Sequence, residues 1–489
     1  MNVVLWNTNQ LNVSKDFAGG YGIGMYRGGH GSRSQMVRRF YHRDRRPVSL
    51  AFPYLAAIFR KHGHRVEYVV DRDPPPADTY VFNPALLTLH IERRVIQSIR
   101  RRHPHAAILV TGPVAYAMPD AFADLEVTII RGEAEQLDAK MDEALDAGPG
   151  VVEVGSVRDL DALPFPDWSP FRSSRFRIAY DFWKFPTALI QASRGCTFTC
   201  NYCPYILIEN STRFRDPLRV AEEMREGIQR YGFRSFKFRD PLFGLDRKRV
   251  LTLADEIERL PRRIQFSIEG RIDLLRPETI RRLRDVGLTS ITVGIERPDE
   301  ATLVEYKRQP IQDDRQREFV AFCRQLGVRV VAGFLIGFPD DTAKSIRDVG
   351  SYARAVNPTF ANFNVVTPYP GTEFFEQVRT QIDSFDFSRY DMYTPLLKYK
   401  HLSAEQVAQL HSKCFVRYYF RWKWLRENAH VIWPALRKLG IGRRDREPQA
   451  PQSAVPKQAP SGPALAVHTI DTSRVDAAQA KNSTKRKTA

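Results

Sequence analysis

Three of the five cysteines of this 489-residue chain lie in the stretch SRGCTFTCNYCPY. Cys196, Cys200 and Cys203 form a C-x3-C-x2-C pattern. Structural zinc sites generally have four Cys or His ligands, often in paired CxxC knuckles, and no second knuckle or suitably spaced His lies nearby. Three thiolates fit a [4Fe–4S] cluster better, because the cluster then keeps one iron without a protein ligand. We therefore predict a [4Fe–4S] cluster whose open iron binds and activates a small molecule, with zinc as the alternative.

The elements that position these cysteines are predicted from alternating strand and helix patterns. A βα series begins near residue 187, and its strand patterns are TALIQAS, SFKFRD, IQFSIEG, SITVGIE, VRVVAGFLIG and FANFNVVTP. Six such units predict a partial TIM-like barrel that is open on one side. Active sites in barrels of this kind lie at the C-terminal ends of the strands. The cysteine loop follows the first strand, so it lies where an active site is expected.

Residues 1–150 show an earlier alternation of strands and helices. The strand patterns are NVVLWN, RVEYVVD, TYVFN, AAILVTG and VTIIRG, with helical segments between them, and they predict a parallel, doubly wound sheet. The glycine-rich segment 19–35 interrupts this pattern and lacks the GK[ST] of a P-loop. We interpret it as a mobile lid or as a simple flexible loop, in which His30, Arg33 and Ser34 are candidates to bind a phosphate.

The cysteine loop resembles that of the radical S-adenosylmethionine (SAM) superfamily, which has an aromatic residue before the last cysteine, here Tyr202. The resemblance implies that Cys196, Cys200 and Cys203 hold a [4Fe–4S] cluster in a partial (βα)6 barrel. It also implies that the open iron binds the amino and carboxylate groups of SAM. An electron from the cluster, supplied by a donor such as flavodoxin or ferredoxin, would cleave SAM to a 5′-deoxyadenosyl radical that takes a hydrogen atom from the substrate.

Further segments between about 187 and 376 resemble the family's SAM-contacting strands, in the family's order. FKFRDPLF keeps only Asp240 of the usual acidic pair, and ITVGIER has Arg297 where the family usually has serine. SIEGRIDLL, GFLIGFPDD and TPYPGTE match the strands that approach SAM, line its adenine and form the sixth strand. The cofactor-binding residues that the resemblance implies are Tyr202, Asp240, Glu269, Arg271, Asp273, Gly294, Glu296 and Gly337. For Asp273 and Glu296, plain polar residues of the barrel mouth are the alternative, and no catalytic residue is assigned.

The N-terminal segments LAAIFRKHGHRVEYVVD, HAAILVTGPVAYAMPD and TIIRGEAEQL resemble the cobalamin-binding-type subgroup of this superfamily. There a Rossmann-like domain precedes the barrel. Members commonly methylate unactivated carbon or phosphorus with methylcobalamin as carrier, and others rearrange rings or join carbons. The Asp-x-His-x-x-Gly loop that places a His on cobalt is not found, and Thr111-Gly112-Pro113-Val114 stands where relatives often have Gly-Gly-x-His. We expect cobalamin, with a degenerate Rossmann domain that shapes the substrate pocket as the alternative.

The net charge of +18 is concentrated in part in residues 417–446, which hold nine Lys/Arg and two acidic residues. Phe415, Tyr418, Trp422 and Leu425 are spaced to share one helical face. This apolar set is extended by Ile432, Trp433 and Leu436. A basic amphipathic helix with Trp anchors favours an anionic membrane surface, and packing of the same face on the barrel is the alternative. Nucleic acid is disfavoured, because no recognisable RNA-binding module is present.

Cys323 and Cys414 lie in helical patterns and are interpreted as packing residues. The opening MNVVLWN predicts a strand and not a signal peptide. No apolar run reaches the roughly 18–20 residues that span a bilayer. We therefore expect a cytoplasmic protein with peripheral contact at the inner face of the membrane.

The sequence predicts an α/β chain in five parts: a cobalamin-binding-type Rossmann-like domain (1–150), a linker (151–185), a radical SAM partial TIM-like barrel (186–385), a basic helical extension (386–445) and a disordered tail (446–489). The expected reaction is cobalamin-dependent C-methylation of a secondary metabolite or lipid-linked precursor. The alternatives are a non-methylating rearrangement, ring contraction or C–C coupling, and an Fe–S regulator without turnover.

Overall fold

The computed structural model describes residues 1–10, 13–16, 18–24, 26, 28, 31–41, 47–178 and 181–429. These residues form an α/β protein with two parallel sheets and a C-terminal helical extension. His30 and Ile432, Trp433 and Leu436 lie outside the described residues, as does the tail 446–489.

The first sheet is parallel throughout and has the strand order β2-β1-β3-β4-β5-β6. Its strands β1 to β6 are Asn2–Asn7, Arg65–Val70, Thr79–Phe82, Ala107–Val110, Thr128–Gly132 and Gly150–Gly155. The helices α1 to α5 are Ser32–Tyr41, Ala51–Lys61, Leu89–Arg102, Pro113–Ala117 and Leu137–Asp146.

Alternate residues of β1 pack into different hydrophobic clusters, Val3 and Leu5 with α2 and Val4 and Trp6 with α3. Helices therefore cover both faces of the sheet at β1, which is why consecutive residues of this strand, and not only alternate ones, are apolar. The predicted doubly wound parallel sheet is confirmed.

Strand β6 is the one element of this sheet that the sequence analysis missed. It lies at the edge of the sheet, its first residue follows Pro149, and only Val152 and Val154 are buried. A short, half-exposed strand next to a proline has the composition of a linker. The sequence analysis therefore ended the first domain at residue 150, where this strand begins.

The second sheet is also parallel, in the order β14-β13-β12-β11-β10-β7. Its strands are β7, β10, β11, β12, β13 and β14, at Thr187–Ile190, Ser235–Phe238, Gln265–Gly270, Leu288–Glu296, Arg329–Ile336 and Phe360–Val365. The short strands β8 and β9, Ser193–Arg194 and Arg213–Phe214, pair antiparallel beside it. The helices α6 to α12 are Pro217–Tyr231, Arg247–Glu258, Pro277–Asp285, Glu300–Glu305, Asp313–Gln325, Ala343–Val356 and Glu373–Val378.

All six predicted barrel strands are present, and they follow one another around the sheet in sequence order. Among the described residues, β7 and β14 are each paired on one side only, so the barrel is open between them. The partial TIM-like barrel is confirmed.

The predicted single aromatic face of the C-terminal helix is wrong. Helix α13, Ala404–Tyr419, ends at Phe420, and α14, Trp422–Glu427, is a separate short helix. Phe415 and Tyr418 are buried in the main hydrophobic cluster, whereas Trp422 is 78% exposed and Leu425 is 38% exposed. The break separates residues that a continuous helix would have placed side by side. No helix of the described residues is long and apolar enough to span a membrane.

The start of the glycine-rich segment is packed and does not form a free loop. Tyr21 is fully buried, and its hydroxyl donates to the carbonyl of Pro370, 2.6 Å away. Ser14 and Ile23 exchange two backbone hydrogen bonds of 3.0 Å that close the segment. Of the phosphate-binding candidates, Ser34 is buried with its hydroxyl 3.0 Å from that of Tyr26.

Candidate active site

The cysteine loop leaves the barrel through a turn that only glycine can make. Gly195 has φ +85°, and a Cβ at this position would lie 2.0 Å from the carbonyl oxygen of Ser211. The next residue, Cys196, donates its backbone N–H to the carbonyl of Asn210 at 3.1 Å. This close approach fixes the direction in which the first cysteine leaves the barrel strand.

The three cysteine thiols lie close enough to affect one another electrostatically. Burial raises the pKa of Cys196 and raises that of Cys203 to about 12, and the neighbouring thiols of the loop add to both effects. Backbone N–H groups of Phe198 and Tyr205 donate to the sulfurs of Cys196 and Cys203 and oppose the rise in pKa. Buried sulfurs that already accept backbone hydrogen bonds fit a cluster, because iron would replace the protons and those hydrogen bonds would stabilise the thiolates.

The described residues show no site for a single metal ion. No group of three or more His, Cys, Asp or Glu side chains in the described part of the chain is arranged to hold one metal ion. In a [4Fe–4S] cluster, by contrast, each of three thiolates binds a different iron, so the ligands stand further apart.

Arg308 is a site residue that the sequence analysis missed. Its guanidinium forms a hydrogen bond with Cys200, donates to the carbonyl of Gly294 at 3.0 Å, and lies 3.3 Å from the carboxylate of Glu296. The sequence provides little indication of this role, because Arg308 follows the end of α9 in the loop EYKRQ, where a basic residue is normally interpreted as a surface charge.

Glu296 is brought into the barrel mouth by an irregularity of β12. The register with β13 shifts between Gly294 and Glu296, and Glu296 has φ +68°. Burial raises the pKa of its carboxyl, while Arg308 and Arg271 oppose the rise. Gly294 leaves room for this carboxylate, since a Cβ there would lie 2.2 Å from its oxygen.

Arg271 and Asp273 form a two-pronged ion pair with N–O distances of 2.9 Å. The Arg271 guanidinium also lies 4.1 Å from the ring centre of Phe198, inside the cysteine loop. Burial alone would raise the pKa of Asp273, but the hydrogen bonds and charge of Arg271 outweigh it and lower the pKa. The Nη1 of Arg271 and the hydroxyl of Tyr202 are buried and have no hydrogen-bond partner among the described residues. Buried donors without partners fit a polar cofactor such as SAM.

Asp240 and Glu269 are engaged by the protein itself. Asp240 accepts hydrogen bonds from the backbone N–H of Ala192, at 2.9 Å, and from the hydroxyl of Ser193, at 2.7 Å. Glu269 pairs with Arg239 and lies 3.3 Å from the ammonium of Lys237. The structure therefore places Asp240 behind the turn that starts the cysteine loop, and Glu269 inside an ion-pair network.

Gly337 follows β13 with φ +78°, and a Cβ there would lie 2.9 Å from the Val365 side chain. Its N–H donates to Asp341 at 2.7 Å, and Arg297 pairs with the same carboxylate at 2.9 Å. Arg297, which replaces the family's serine, is buried and supports the GFPDD turn.

Gly333 of β13 lies beside two asparagines of the neighbouring strand β14. A Cβ on Gly333 would have no neighbour closer than 3.8 Å, and one of the two nearest atoms is Nδ2 of Asn364. Tyr393 donates to Oδ1 of Asn362 at 3.2 Å, and Asn362 donates to Oδ1 of Asn364 at 2.8 Å. These hydrogen bonds orient the Asn364 side chain so that its Nδ2 faces Gly333.

Residues 190–353 match the sequence family described as the Radical SAM superfamily. An uncharacterized methyltransferase of Pyrococcus horikoshii is 25% identical over 64% of this chain and 72% of its own length. The anaerobic magnesium-protoporphyrin IX monomethyl ester cyclase of Cereibacter sphaeroides is 25% identical over 60% of this chain. The hopanoid C-3 methylase of Methylococcus capsulatus is 27% identical over 54% of this chain. The matches span 51% and 52%, about half, of the cyclase and the hopanoid methylase.

The fold is also similar to a solved structure, that of the cobalamin-dependent SAM radical enzyme OxsB with aqua-cobalamin and SAM bound. The TM-score is 0.61 at 13% identity, and the match covers 90% of this chain and 69% of that one. At this identity the similarity shows the fold, which includes both the N-terminal sheet and the barrel. The cysteine loop at the mouth of the barrel lies within the match over 190–353, so these residues form a radical SAM domain, and the chain is an enzyme whose cofactors are a [4Fe–4S] cluster and SAM.

Proposed function

We propose that the chain is a cobalamin-dependent radical SAM methyltransferase that methylates a carbon atom of a small-molecule or lipid-linked substrate. The observation that carries this proposal is that two adjacent glycines, Gly19 and Gly20, lie between the edge of the first sheet and the cysteine loop and approach both closely. A Cβ on Gly20 would lie 2.7 Å from Pro113, which follows β4, and a Cβ on Gly19 would lie 2.6 Å from the carbonyl of Pro204, next to Cys203. Two cofactors held at these two edges would therefore be neighbours.

The edge of the first sheet that is formed by the carboxyl ends of its strands has features that fit a large polar ligand such as cobalamin. The Thr111 hydroxyl is buried and has no partner in the described part of the chain. Gly112 has φ +92°, and a Cβ there would lie 2.2 Å from the Asn83 side chain. Ligands bind in α/β sheets at this edge. When bound, cobalamin would supply a carrier for the methyl group.

The roles of the site residues are part of the proposal. Cys196, Cys200 and Cys203 hold the cluster. SAM is contacted from a set of residues around the barrel mouth, namely Tyr202, Glu269, Arg271, Asp273, Gly294, Glu296 and Gly337. Asp240 acts by holding the turn before the cysteine loop. The cluster and SAM supply the radical chemistry, and a flavodoxin- or ferredoxin-type protein is the proposed electron donor.

The methyltransferase and methylase names among the relatives support methylation, and the cyclase favours a second candidate, a non-methylating radical step. The two candidates differ in what becomes of SAM. Methylation through cobalamin consumes a second SAM to give S-adenosylhomocysteine, whereas a pure radical step gives 5′-deoxyadenosine and methionine.

The test uses full-length protein, reconstituted anaerobically with iron and sulfide and then reduced in the presence of SAM, with and without hydroxocobalamin. We expect 5′-deoxyadenosine in both samples, and S-adenosylhomocysteine only with hydroxocobalamin, which should co-elute with the protein. A protein that retains no cobalamin and forms only 5′-deoxyadenosine would instead be assigned to the non-methylating candidate.

We also propose peripheral contact with an anionic membrane through α14. Its exposed residues are Trp422, Lys423, Leu425 and Arg426. An exposed Trp beside basic residues combines apolar insertion with attraction to anionic lipid. The proposed membrane-contacting surface is smaller than the one predicted from the sequence, because Phe415 and Tyr418 are buried.

A further inference from the structure

Two adjacent charged residues, Lys15 and Asp16, precede the glycine-rich segment 19–35 and pair with partners in different parts of the protein. The ammonium of Lys15 is buried and pairs with Glu92 of α3, and it also donates to the carbonyl of Asn83 at 3.0 Å, at the end of β3. Thr88 donates to the same Glu92 carboxylate at 2.9 Å. Lys15 is therefore fixed to the edge of the first sheet.

The next residue, Asp16, is fixed to the barrel. Its carboxylate pairs with the buried guanidinium of Arg239, which follows β10, and its carbonyl accepts from the same guanidinium. Arg239 also pairs with Glu269 and donates to the hydroxyl of Tyr205 at 3.0 Å. Asp16 and Tyr205 thus share one arginine, whose planar fork can serve several acceptors at once.

Tyr205 connects this arginine to the cluster ligands. It stands two residues after Cys203, and its backbone N–H is the donor to the Cys203 sulfur. Hydrogen bonds to the cysteine sulfurs are one of the means by which a protein sets the reduction potential of an iron–sulfur cluster. A side chain that holds the Tyr205 phenol therefore also orients a hydrogen bond to the cluster.

We propose that Lys15 and Asp16 form an ionic staple between the first sheet and the barrel, and that Arg239 is the positioning residue that couples this staple to the third cysteine. The staple keeps the edge of the first sheet at a fixed place beside the cysteine loop. The pairing of both charges with buried partners is the reason to assign the staple a role in arrangement, since a buried ion pair is by itself weak evidence for net stability. The proposal rests on the cluster and not on methylation, so it stands or falls independently of the test for cobalamin.

Two measurements on the anaerobically reconstituted full-length protein test the two parts of the proposal, the staple and its coupling to the cluster. The first is the rate of tryptic cleavage at the Lys15–Asp16 bond, followed by mass spectrometry of the peptide that ends at Lys15. Cleavage requires local opening, so its rate reports how often the staple is released. The second is the midpoint potential and EPR spectrum of the reduced cluster.

Arg239→Gln should speed cleavage at this bond about tenfold, which corresponds to about 1.4 kcal/mol of local opening, and should lower the cluster potential. Arg239→Lys should restore both readouts in part, because it keeps the charge but not the fork. Tyr205→Phe should lower the potential and leave the cleavage rate unchanged. The matched control is Arg60→Gln, which breaks the Arg60–Asp167 ion pair away from the cysteine loop and should change neither readout.

The staple is refuted if Arg239→Gln is cleaved at the parental rate. The coupling to the cluster is refuted if Arg239→Gln and Tyr205→Phe both keep the parental potential and spectrum. If Arg239→Gln does not yield folded protein, Asp16→Asn replaces it, with its cleavage rate corrected by that of a synthetic peptide of residues 10–20 carrying the same change. An unchanged corrected rate then refutes the staple.

Discussion

Asp240 provides the sharpest test of how the cysteine loop is held. Its side chain is fully buried, and burial raises its pKa from 3.8 to about 7, although hydrogen bonds from Ser193 and Ala192 oppose the rise. The informative change is Asp240→Asn. The two shorter hydrogen bonds, at 2.7 and 2.9 Å, go to Oδ1, which an Asn retains, and only the longer bond from Ala192 N–H to Oδ2, at 3.2 Å, is lost. The turn should therefore persist while the ionisable group is removed.

The sign and size of the effect follow from proton linkage. The folded state holds this proton up to about pH 7, whereas an unfolded Asp loses it near pH 3.8. The folded state therefore binds more protons between these values, and its stability falls as the pH rises through this interval. At about 1.36 kcal/mol for each pKa unit, Asp240 should lower the free energy of unfolding of the parent by about 2–3 kcal/mol more at pH 8 than at pH 5.

The assay is thermal unfolding of the reconstituted parent and the Asp240→Asn variant between pH 5 and pH 8. From pH 5 to pH 8, the melting temperature of the variant should rise by a few degrees relative to that of the parent. Asp273→Asn is the control, because the low pKa of Asp273 keeps it charged throughout, and its difference from the parent should stay constant. Parallel curves for the parent and Asp240→Asn would refute the argument. SAM binding should be unchanged in Asp240→Asn, because the carboxylate already serves the turn.

Three further results are expected. Gly195→Ala should abolish cluster assembly, measured as iron and sulfide per chain, because the new Cβ would lie 2.0 Å from the Ser211 carbonyl oxygen. Cys323→Ala should keep the full iron content, since this thiol is buried in the main hydrophobic cluster. Trp424→Ala should lower the free energy of unfolding by about 3–5 kcal/mol in urea titrations, whereas Trp422→Ala should change it by less than ~0.5 kcal/mol and reduce sedimentation with anionic vesicles. Equal vesicle binding by Trp422→Ala and the parent would contradict membrane contact through α14.

The barrel and the cysteine loop could be predicted from the sequence because their signals are local. Each strand of the second sheet is a short apolar run followed by a helical pattern, and the three cysteines lie close together in the chain. The edge strand Gly150–Gly155 gave no such run, because one face of it is exposed. The end of α13 at Phe420 was not predicted either, since the hydrophobic spacing of the sequence continues across it.

Of the three arginines that lie beside the cysteine loop, only Arg271 was predicted as a site residue, because Arg308 and Arg239 act across long sequence separations that no motif marks. Arg308 forms a hydrogen bond with Cys200 directly, Arg271 lies over the ring of Phe198, and Arg239 holds the phenol of Tyr205. The backbone N–H groups of those two aromatic residues in turn donate to the first and third cysteine sulfurs. In the sequence alone, Arg308 and Arg239 counted only toward the net positive charge, which suggested partners outside the protein.

Their positions suggest a different use of the charge, inside the site. A cluster with three thiolate ligands is anionic, and its potential rises as positive charge and hydrogen bonds approach the sulfurs. Two of the arginines contact the loop through an aromatic side chain, Arg271 at Phe198 and Arg239 at Tyr205. Lysine could supply the same charge to Phe198 or Tyr205, but not a planar group that stacks on a ring or binds several acceptors. Exchange of Arg271 or Arg239 for lysine should therefore disturb the cluster environment even though the net charge is unchanged.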